Sequence, residues 1–131
     1  MQKEWDLRRR TMKFAVAVFR FSRTVRKNDE TWDVVRQLRR ASSSVAANYR
    51  AMLRTPSDPA FMAKASVVIE EADESAFWLE FMVEVELVEH AKVAVFLKEA
   101  NELVAIFTAS RKTVQKRIER AKQAADSGHK C

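Results

Sequence analysis

The sequence predicts an all-α protein, an antiparallel up-down-up-down four-helix bundle that forms one domain. Three observations predict it: one glycine and two prolines in 131 residues, apolar residues that recur every three or four positions, and a globular composition of 47% hydrophobic and 32% charged residues. An all-β fold would need turn residues about every ten positions, and these are missing. A chain of this length can bury one core, so we expect a single domain.

The first two helices are predicted over residues 6–27 and 31–54. Helix 1 has one apolar stripe, which consists of Phe14, Val18, Phe21 and Val25. Helix 2 has the clearest period, because its seam residues step by 3, 4, 3, 4 and 3 positions, as in a heptad pattern. That seam consists of Val35, Leu38, Ser42, Val45, Tyr49 and Met52.

The last two helices are predicted over residues 58–88 and 92–122. Proline disfavours helix at the residue before it, so the segment 55–59 (TPSDP) ends helix 2, and Ser57 or Asp58 can cap helix 3. The segment between helices 3 and 4 contains neither glycine nor proline. We place a break there because a single helix over both segments would be about 95 Å long, and two shorter helices could not cover it. Residues 1–124 then form the bundle, and residues 125–131 form a disordered tail.

Composition excludes several classes of protein. No run of 18 apolar residues can form a transmembrane helix, and the short apolar run near the start lacks a signal-peptide cleavage site. A single cysteine, Cys131, cannot form an intrachain disulfide, which is typical of a reducing compartment. We therefore expect a cytoplasmic protein with no membrane partner. The lone glycine, Gly128, leaves no glycine-rich phosphate-binding loop.

Catalytic and metal-binding patterns are missing as well. His90 and His129 have no second histidine or cysteine at a ligand spacing, and the acidic run at 70–74 lacks the histidines of a di-iron bundle. The serines at 42–44 have no candidate histidine base, and small hydroxyl side chains on a seam allow helices to approach closely. We predict no enzyme activity, no catalytic residue, no metal site and no cofactor.

Helix 3 is too apolar for a single bundle contact. A helix in a monomeric bundle needs an apolar stripe only about 100° wide. The apolar residues between 77 and 85 cover about two-thirds of the helix circumference and leave only Glu80 and Glu84 on the remaining arc. Burial by three neighbouring helices is the alternative. We favour self-association into a homo-oligomer, with Phe77, Trp78 and Phe81 as interface candidates.

The net charge of +6 is divided unevenly along the chain. Residues 1–54 hold 14 basic and 5 acidic side chains, residues 55–102 hold 3 and 11, and residues 103–131 hold 7 and 2. Helix 3 is thus acidic, and antiparallel packing would set its middle against the middle of basic helix 2. We predict structural ion pairs between three arginines and three glutamates of these helices. They are Arg36, Arg39, Arg40, Glu70, Glu71 and Glu74.

Basic residues gather at one pole of the predicted bundle. Up-down topology brings together the start of helix 1 and the ends of helices 2 and 4. The basic residues there are Arg8, Arg9, Arg10, Lys13, Arg50, Arg54, Lys112, Lys116, Arg117 and Arg120. A solvated face is one interpretation, and RNA or DNA bound through its phosphates is the functional one. Only Trp5 adds an aromatic ring, so base-specific contacts are not indicated.

Three segments resemble a known family. Residues 37–50 (QLRRASSSVAANYR), 70–80 (EEADESAFWLE) and 97–103 (LKEANEL) are similar to the second, third and fourth helices of one group of four-helix-bundle proteins. The group includes proteins encoded in intervening sequences of bacterial large-subunit ribosomal RNA genes, and the resemblance covers most of the chain. It departs at Ala51 and Met52, because many members have a Glu-Gly pair shortly after the asparagine of helix 2.

The resemblance implies an assembly and a kind of partner. It implies a homopentameric ring, and it extends distantly to the accessory protein of diversity-generating retroelements. That protein is a basic pentamer that binds reverse transcriptase and nucleic acid, so a reverse-transcriptase-type partner is implied here.

Two functions from different classes are consistent with these observations. The first is a non-enzymatic, ring-forming accessory or scaffold protein that binds RNA or DNA through its basic pole. The second is a structural interaction module whose basic pole docks an acidic protein and never meets nucleic acid. Binding to unrelated RNA and DNA at two salt concentrations distinguishes them.

Overall fold

Four α-helices make up the fold. A computed structural model describes residues 2–128, with side chains from residue 6 onward, and contains no β-strand within that range. α1 spans Gln2–Thr24, α2 spans Trp32–Met52, α3 spans Asp58–Glu84 and α4 spans His90–Gly128. The all-α prediction is confirmed, and the four helices are consistent with a four-helix bundle.

Polar side chains mark the starts of α2 and α3. In the loop before α2, Asn28 Oδ1 accepts hydrogen bonds from the backbone N–H groups of Glu30 and Thr31, at 2.9 and 3.0 Å. Ser57 caps α3, because its side chain accepts a hydrogen bond from the backbone N–H of Ala60. These side-chain oxygens satisfy N–H groups that have no partner within a helix.

The turn between α3 and α4 is closed without glycine. α3 ends at residue 84 and α4 begins at residue 90, whereas the sequence predicts these boundaries at 88 and 92. Glu86 has a φ of 61°, the left-handed conformation that glycine usually adopts just after a helix. The N–H groups of Glu86 and Leu87 donate to the carbonyl oxygens of Val83 and Met82, both at 2.9 Å. This pair of hydrogen bonds is a Schellman motif, and it ends α3.

A single apolar core lies between the helices. The seam predicted for α2 is buried, and the ring of Tyr49 packs against that of Phe107 on α4, with centroids 5.2 Å apart. α3 packs extensively against α2 and α4, whereas α1 packs mainly against α2 and only slightly against α4. Between the described parts of α1 and α3 no two Cα atoms come within 8 Å of each other, so these are not neighbouring helices. These two helices therefore lie on different sides of the core.

α4 continues beyond this core. Val114 is its last buried residue, and between 115 and 128 only Ile118 is half-buried. The sequence places the end of this helix too early, at 122, because the helix reaches Gly128. The predicted tail is thus helical through residue 128, and residues 129–131 lie outside the described residues. About 14 residues, or roughly 21 Å of helix, extend past the last buried side chain.

Candidate functional site

Five of the ten basic residues predicted for the pole line one open groove. The groove lies beside α1 and the end of α2 and has a volume of about 680 Å³. Its basic lining residues are Arg8, Arg9, Arg10, Lys13 and Arg50. Asp6, Met12 and Val16 complete the lining, and the methionine and valine side chains are exposed. Basic side chains from two helices therefore converge on one surface, as the sequence predicts.

A second cavity shows which helix ends lie together. Leu7 of α1, Met52 of α2, Phe61 of α3 and Val114 of α4 all line the same space of about 750 Å³. The start of α1, the end of α2, the start of α3 and the later part of α4 therefore meet at one end of the molecule. The exposed basic residues of α4 project from this end.

Eight of the ten basic residues form no ion pair with a side chain between residues 6 and 128. We call this set the basic end. It consists of Arg8, Arg9, Lys13, Arg50, Arg54, Lys112, Lys116 and Arg120. Lys112, Lys116 and Arg120 form an exposed row at i, i+4 spacing on α4. Like charges at this spacing destabilise a helix, so the row has no structural benefit of its own.

Two of the predicted residues have a structural role instead. Arg10 donates two hydrogen bonds of 2.7 Å to the carboxylate of Glu99 and a third, of 3.1 Å, to Glu102. Arg117 forms a bidentate pair with Asp58, at 3.2 and 3.0 Å. Arg10 thereby joins α1 to α4, and its charge is largely neutralised by the two glutamates.

The Arg10 pair changes the acidity of its main partner. The hydrogen bond from Arg10 lowers the pKa of Glu99 below its usual range, although burial of the carboxylate acts in the opposite direction. The same hydrogen bond raises the pKa of Arg10. Both groups are therefore charged at neutral pH.

The predicted ion pairs between α2 and α3 form around one arginine. Arg40 binds Glu71 at 3.0 Å and Glu74 at 2.6 Å, and its hydrogen bond is the main reason why the pKa of Glu74 is lowered. The other predicted pairs do not form. Arg36 lies near Asp33, one turn earlier on its own helix, at 3.8 Å. Glu70 is exposed and has no ion pair among the described residues.

Arg39 belongs to a different cluster, which we call the arginine–aromatic ladder. Its guanidinium lies 4.6 Å from the ring centroid of Phe19 and 5.5 Å from that of Trp32. Arg23 lies 5.1 Å from the Phe19 ring, and Arg36 lies 5.3 Å from the Trp32 ring. The ladder thus consists of Arg23, Phe19, Arg39, Trp32 and Arg36. Both rings are exposed on the surface.

The sequence indicates those contacts of the ladder that lie within a single helix. Phe19 and Arg23, like Trp32 and Arg36, are four residues apart on one helix, a spacing at which side chains meet. The contact between helices could not be found in this way. It depends on Arg39, whose Nε donates a 2.7 Å hydrogen bond to the buried hydroxyl of Ser22 on α1.

The aromatic residues of α3 form a second exposed cluster, which we call the α3 patch. It consists of Phe77, Trp78 and Phe81 of α3 together with Val85, the residue that follows the end of the helix. Phe77 and Val85 are each 51% exposed. Trp78 is half-buried against the core, and Phe81 is half-buried as well. Ring centroids within the patch are 5.0 to 6.0 Å apart. The three interface candidates from the sequence therefore form one continuous aromatic surface.

The serine and histidine candidates from the sequence do not form a catalytic or metal site among the described residues. The hydroxyl groups of Ser42 and Ser43 donate hydrogen bonds to backbone carbonyl oxygens of their own helix. Among the described residues, no group of three His, Cys, Asp or Glu side chains is arranged to hold a metal ion. Within the same range, no helix combines the length and apolar character needed to cross a bilayer. His129 and Cys131 lie outside the described residues.

These helices and surfaces define an all-α protein of the four-helix type with a basic end. A family model described as the 23S rRNA-intervening sequence protein matches residues 3–109, so the chain belongs to that family. This confirms the resemblance found in the sequence. The matched range stops before Lys112, so the basic row of α4 lies outside it. No curated protein matches the chain.

A solved structure has a similar fold. It is a protein of unknown function from the S23 ribosomal protein family of Bacteroides thetaiotaomicron. The two chains are 20% identical with a TM-score of 0.77, and the similarity covers 84% of this chain and 98% of the other. At this level of identity the similarity shows the fold alone.

Proposed function

We propose that this protein is a non-enzymatic, oligomeric accessory or scaffold protein that binds RNA or DNA non-specifically through its basic end, in the cytoplasm. The observation that carries the proposal is the set of eight basic side chains without an ion-pair partner among the described residues. Such a concentration of charge stabilises a bound polyanion and is unfavourable without one.

Phosphates are the expected target. No exposed aromatic side chain described at the basic end offers a stacking surface for bases. Arginine and lysine that contact phosphates release condensed counterions and carry little sequence information. Binding would therefore be tight at low salt, weak at high salt and similar across sequences.

We propose the antiparallel arrangement and a closed homo-oligomer as part of this function. The pair between Arg117 in the later part of α4 and Asp58 at the start of α3 supports opposite directions for these helices. The exposed α3 patch supports self-association. Five subunits are implied by the family resemblance, and a ring would bring several basic ends to one polyanion. A reverse-transcriptase-type partner is a further proposal from the same resemblance.

Binding to nucleic acids of unrelated sequence tests the proposal. Filter binding with duplex DNA and with RNA, at about 50 and 200 mM salt, should show affinity falling steeply with salt. An Arg8→Glu, Arg9→Glu variant should bind at least about tenfold more weakly and reduce the salt slope by about 2. The matched control is Lys92→Glu with Lys98→Glu, which reverses two exposed charges on the early part of α4.

Either of two results would contradict the proposal. One is an affinity that does not change with salt, and the other is an affinity that the two arginine substitutions leave unchanged. Absence of binding at low salt would favour the alternative function, in which the basic end docks an acidic protein.

A further inference from the structure

We infer that the α3 patch of one copy packs on the arginine–aromatic ladder of a second copy. The contact is heterologous, because two different surfaces of the same chain meet. This inference deepens the proposed self-association and rests on it. It assigns a receiving surface, which lies on α1 and α2, to the aromatic residues of α3.

The charges of the two surfaces are complementary. α3 carries exposed Glu70, Asp73, Glu80 and Glu84, and no lysine or arginine occurs between residues 65 and 91. The ladder presents three arginines, with the additional exposed Arg20 nearby on α1. Opposite charge across an interface accelerates association and disfavours incorrect pairing.

The side-chain types of the two surfaces also match. Each surface presents aromatic rings that are partly exposed to solvent, and aromatic residues together with arginine dominate the energy of interface centres. The hydrogen bond to Ser22 already holds Arg39 between its two rings. Because that side chain is ordered before association, less conformational entropy is lost on binding.

The α3 patch and the ladder of one molecule cannot cover each other. Two α3 patches from different copies are also a poor match. The ladder lies on α1 and α2, and no Cα atom of α1 comes within 8 Å of α3 in the described structure, so the ladder and the α3 patch lie on different sides of the bundle. A symmetric contact between two α3 helices would bring their exposed carboxylates together, which is unfavourable. A second copy, joined through the ladder, avoids this repulsion.

Both surfaces lie at the same level along the molecule. Arg39 belongs to the ladder, and the next residue, Arg40, forms an ion pair with Glu74. Glu74 lies one helical turn before Phe77 of the α3 patch. Copies joined through surfaces at one level stand side by side, related by rotation about an axis along the helices. Repetition of a heterologous contact closes a ring when the rotation allows it. All basic ends then project from the same face of that ring.

A mixing experiment distinguishes this contact from a symmetric one. The patch variant is Phe77→Lys with Val85→Lys, and the ladder variant is Phe19→Glu with Trp32→Glu. Each retains one intact surface, and all four side chains are exposed. Light scattering after size-exclusion chromatography should give the mass of one chain for each variant alone. An equimolar mixture should give the mass of two chains, because one intact patch meets one intact ladder.

Val95→Lys changes an exposed side chain outside both surfaces and should retain the full wild-type assembly. A ladder variant that keeps the wild-type mass, or a mixture that stays at one chain, overturns the inference while the proposed self-association stands. A wild-type protein with the mass of one chain overturns both.

A second ladder variant keeps the test valid if the first unfolds. Arg23→Glu changes only an exposed side chain on α1 and reverses one charge of the ladder. It should weaken assembly with an unchanged circular-dichroism spectrum. Assembly that is unaffected by this substitution contradicts the inferred contact.

Discussion

Arg10 and Arg40 each join two helices through a pair of glutamates. Arg10 connects α1 to α4, whose packing contact is otherwise slight, and Arg40 connects α2 to α3. Partly buried pairs of this kind specify which turns of two helices lie side by side more than they add to stability. The pKa values of Glu74 and Glu99 are lowered by these hydrogen bonds. Stability should therefore depend on pH in the acidic range.

The Glu99→Gln variant should have a flatter dependence of stability on pH than the wild type. The lowered pKa means that folded Glu99 binds its proton at lower pH than the unfolded chain does. The contribution of the pair is therefore complete above the usual glutamate pKa, about 4.3, and is lost as pH falls through the folded value. Urea unfolding followed by circular dichroism at several pH values between about 5 and 3 measures this difference.

The control for this prediction is Glu119→Gln, which removes an exposed carboxylate from the projecting part of α4. Its stability should change with pH as that of the wild type does. Parallel curves for Glu99→Gln and the wild type would show that the Arg10 pair does not contribute as described.

At the scale of whole elements, α3 and α4 are separated by a Schellman motif with glutamate in the position usually taken by glycine. Glu86 adopts φ 61° there, a conformation that costs an L-residue roughly 1 to 2 kcal/mol. The two hydrogen bonds of the motif and the apolar side chain of Leu87, which packs against the core, hold the residue in place. The helix boundary is thus set by local backbone geometry and core packing together.

Glu86→Gly should raise the free energy of unfolding by about 1 kcal/mol, because glycine adopts positive φ without the steric penalty. The matched control is Glu84→Gly, two residues earlier in the last turn of α3. This change should lower the free energy of unfolding by about 0.5 to 1 kcal/mol, because glycine disfavours helix. Chemical denaturation measures both. A loss of stability in Glu86→Gly would show that this turn does not adopt the left-handed conformation.

On the scale of the whole molecule, the two ends and the sides of the bundle have different roles. The basic end collects side chains from α1, α2 and α4, while the α3 patch lies at α3 and the ladder lies on α1 and α2. Assembly through those two surfaces would leave the basic ends free and would repeat them on one face. Assembly and nucleic-acid binding should therefore be coupled through multivalency.

The patch variant should bind nucleic acid at least about tenfold more weakly than Val95→Lys, measured by filter binding at about 50 mM salt. Both variants retain the basic end, and the patch variant carries one additional positive charge. A purely electrostatic effect would therefore strengthen its binding. Equal or tighter binding by the patch variant would mean that a single basic end is sufficient.

Much of the fold was accessible from the sequence because helical periodicity is a property of neighbouring positions. The 3- and 4-residue steps of α2 predicted its buried seam, and the scarcity of glycine predicted an all-α fold. The helix end at residue 84 was missed because Glu86 takes the place of the expected glycine. The end of α4 was placed too early because the chain remains helical beyond the last side chain that it buries.

By itself, the sequence determined the helix class, the separation of basic and acidic segments and the family. These follow from local spacing and composition, which need no knowledge of the partner helix. Only the tertiary structure decided that Arg10 and Arg117 are paired, that of the three predicted arginines only Arg40 binds the α3 glutamates, and that Arg39 lies between two aromatic rings. Those partners depend on how far each helix is rotated and shifted against its neighbour. A rotation of one residue, about 100°, would exchange them.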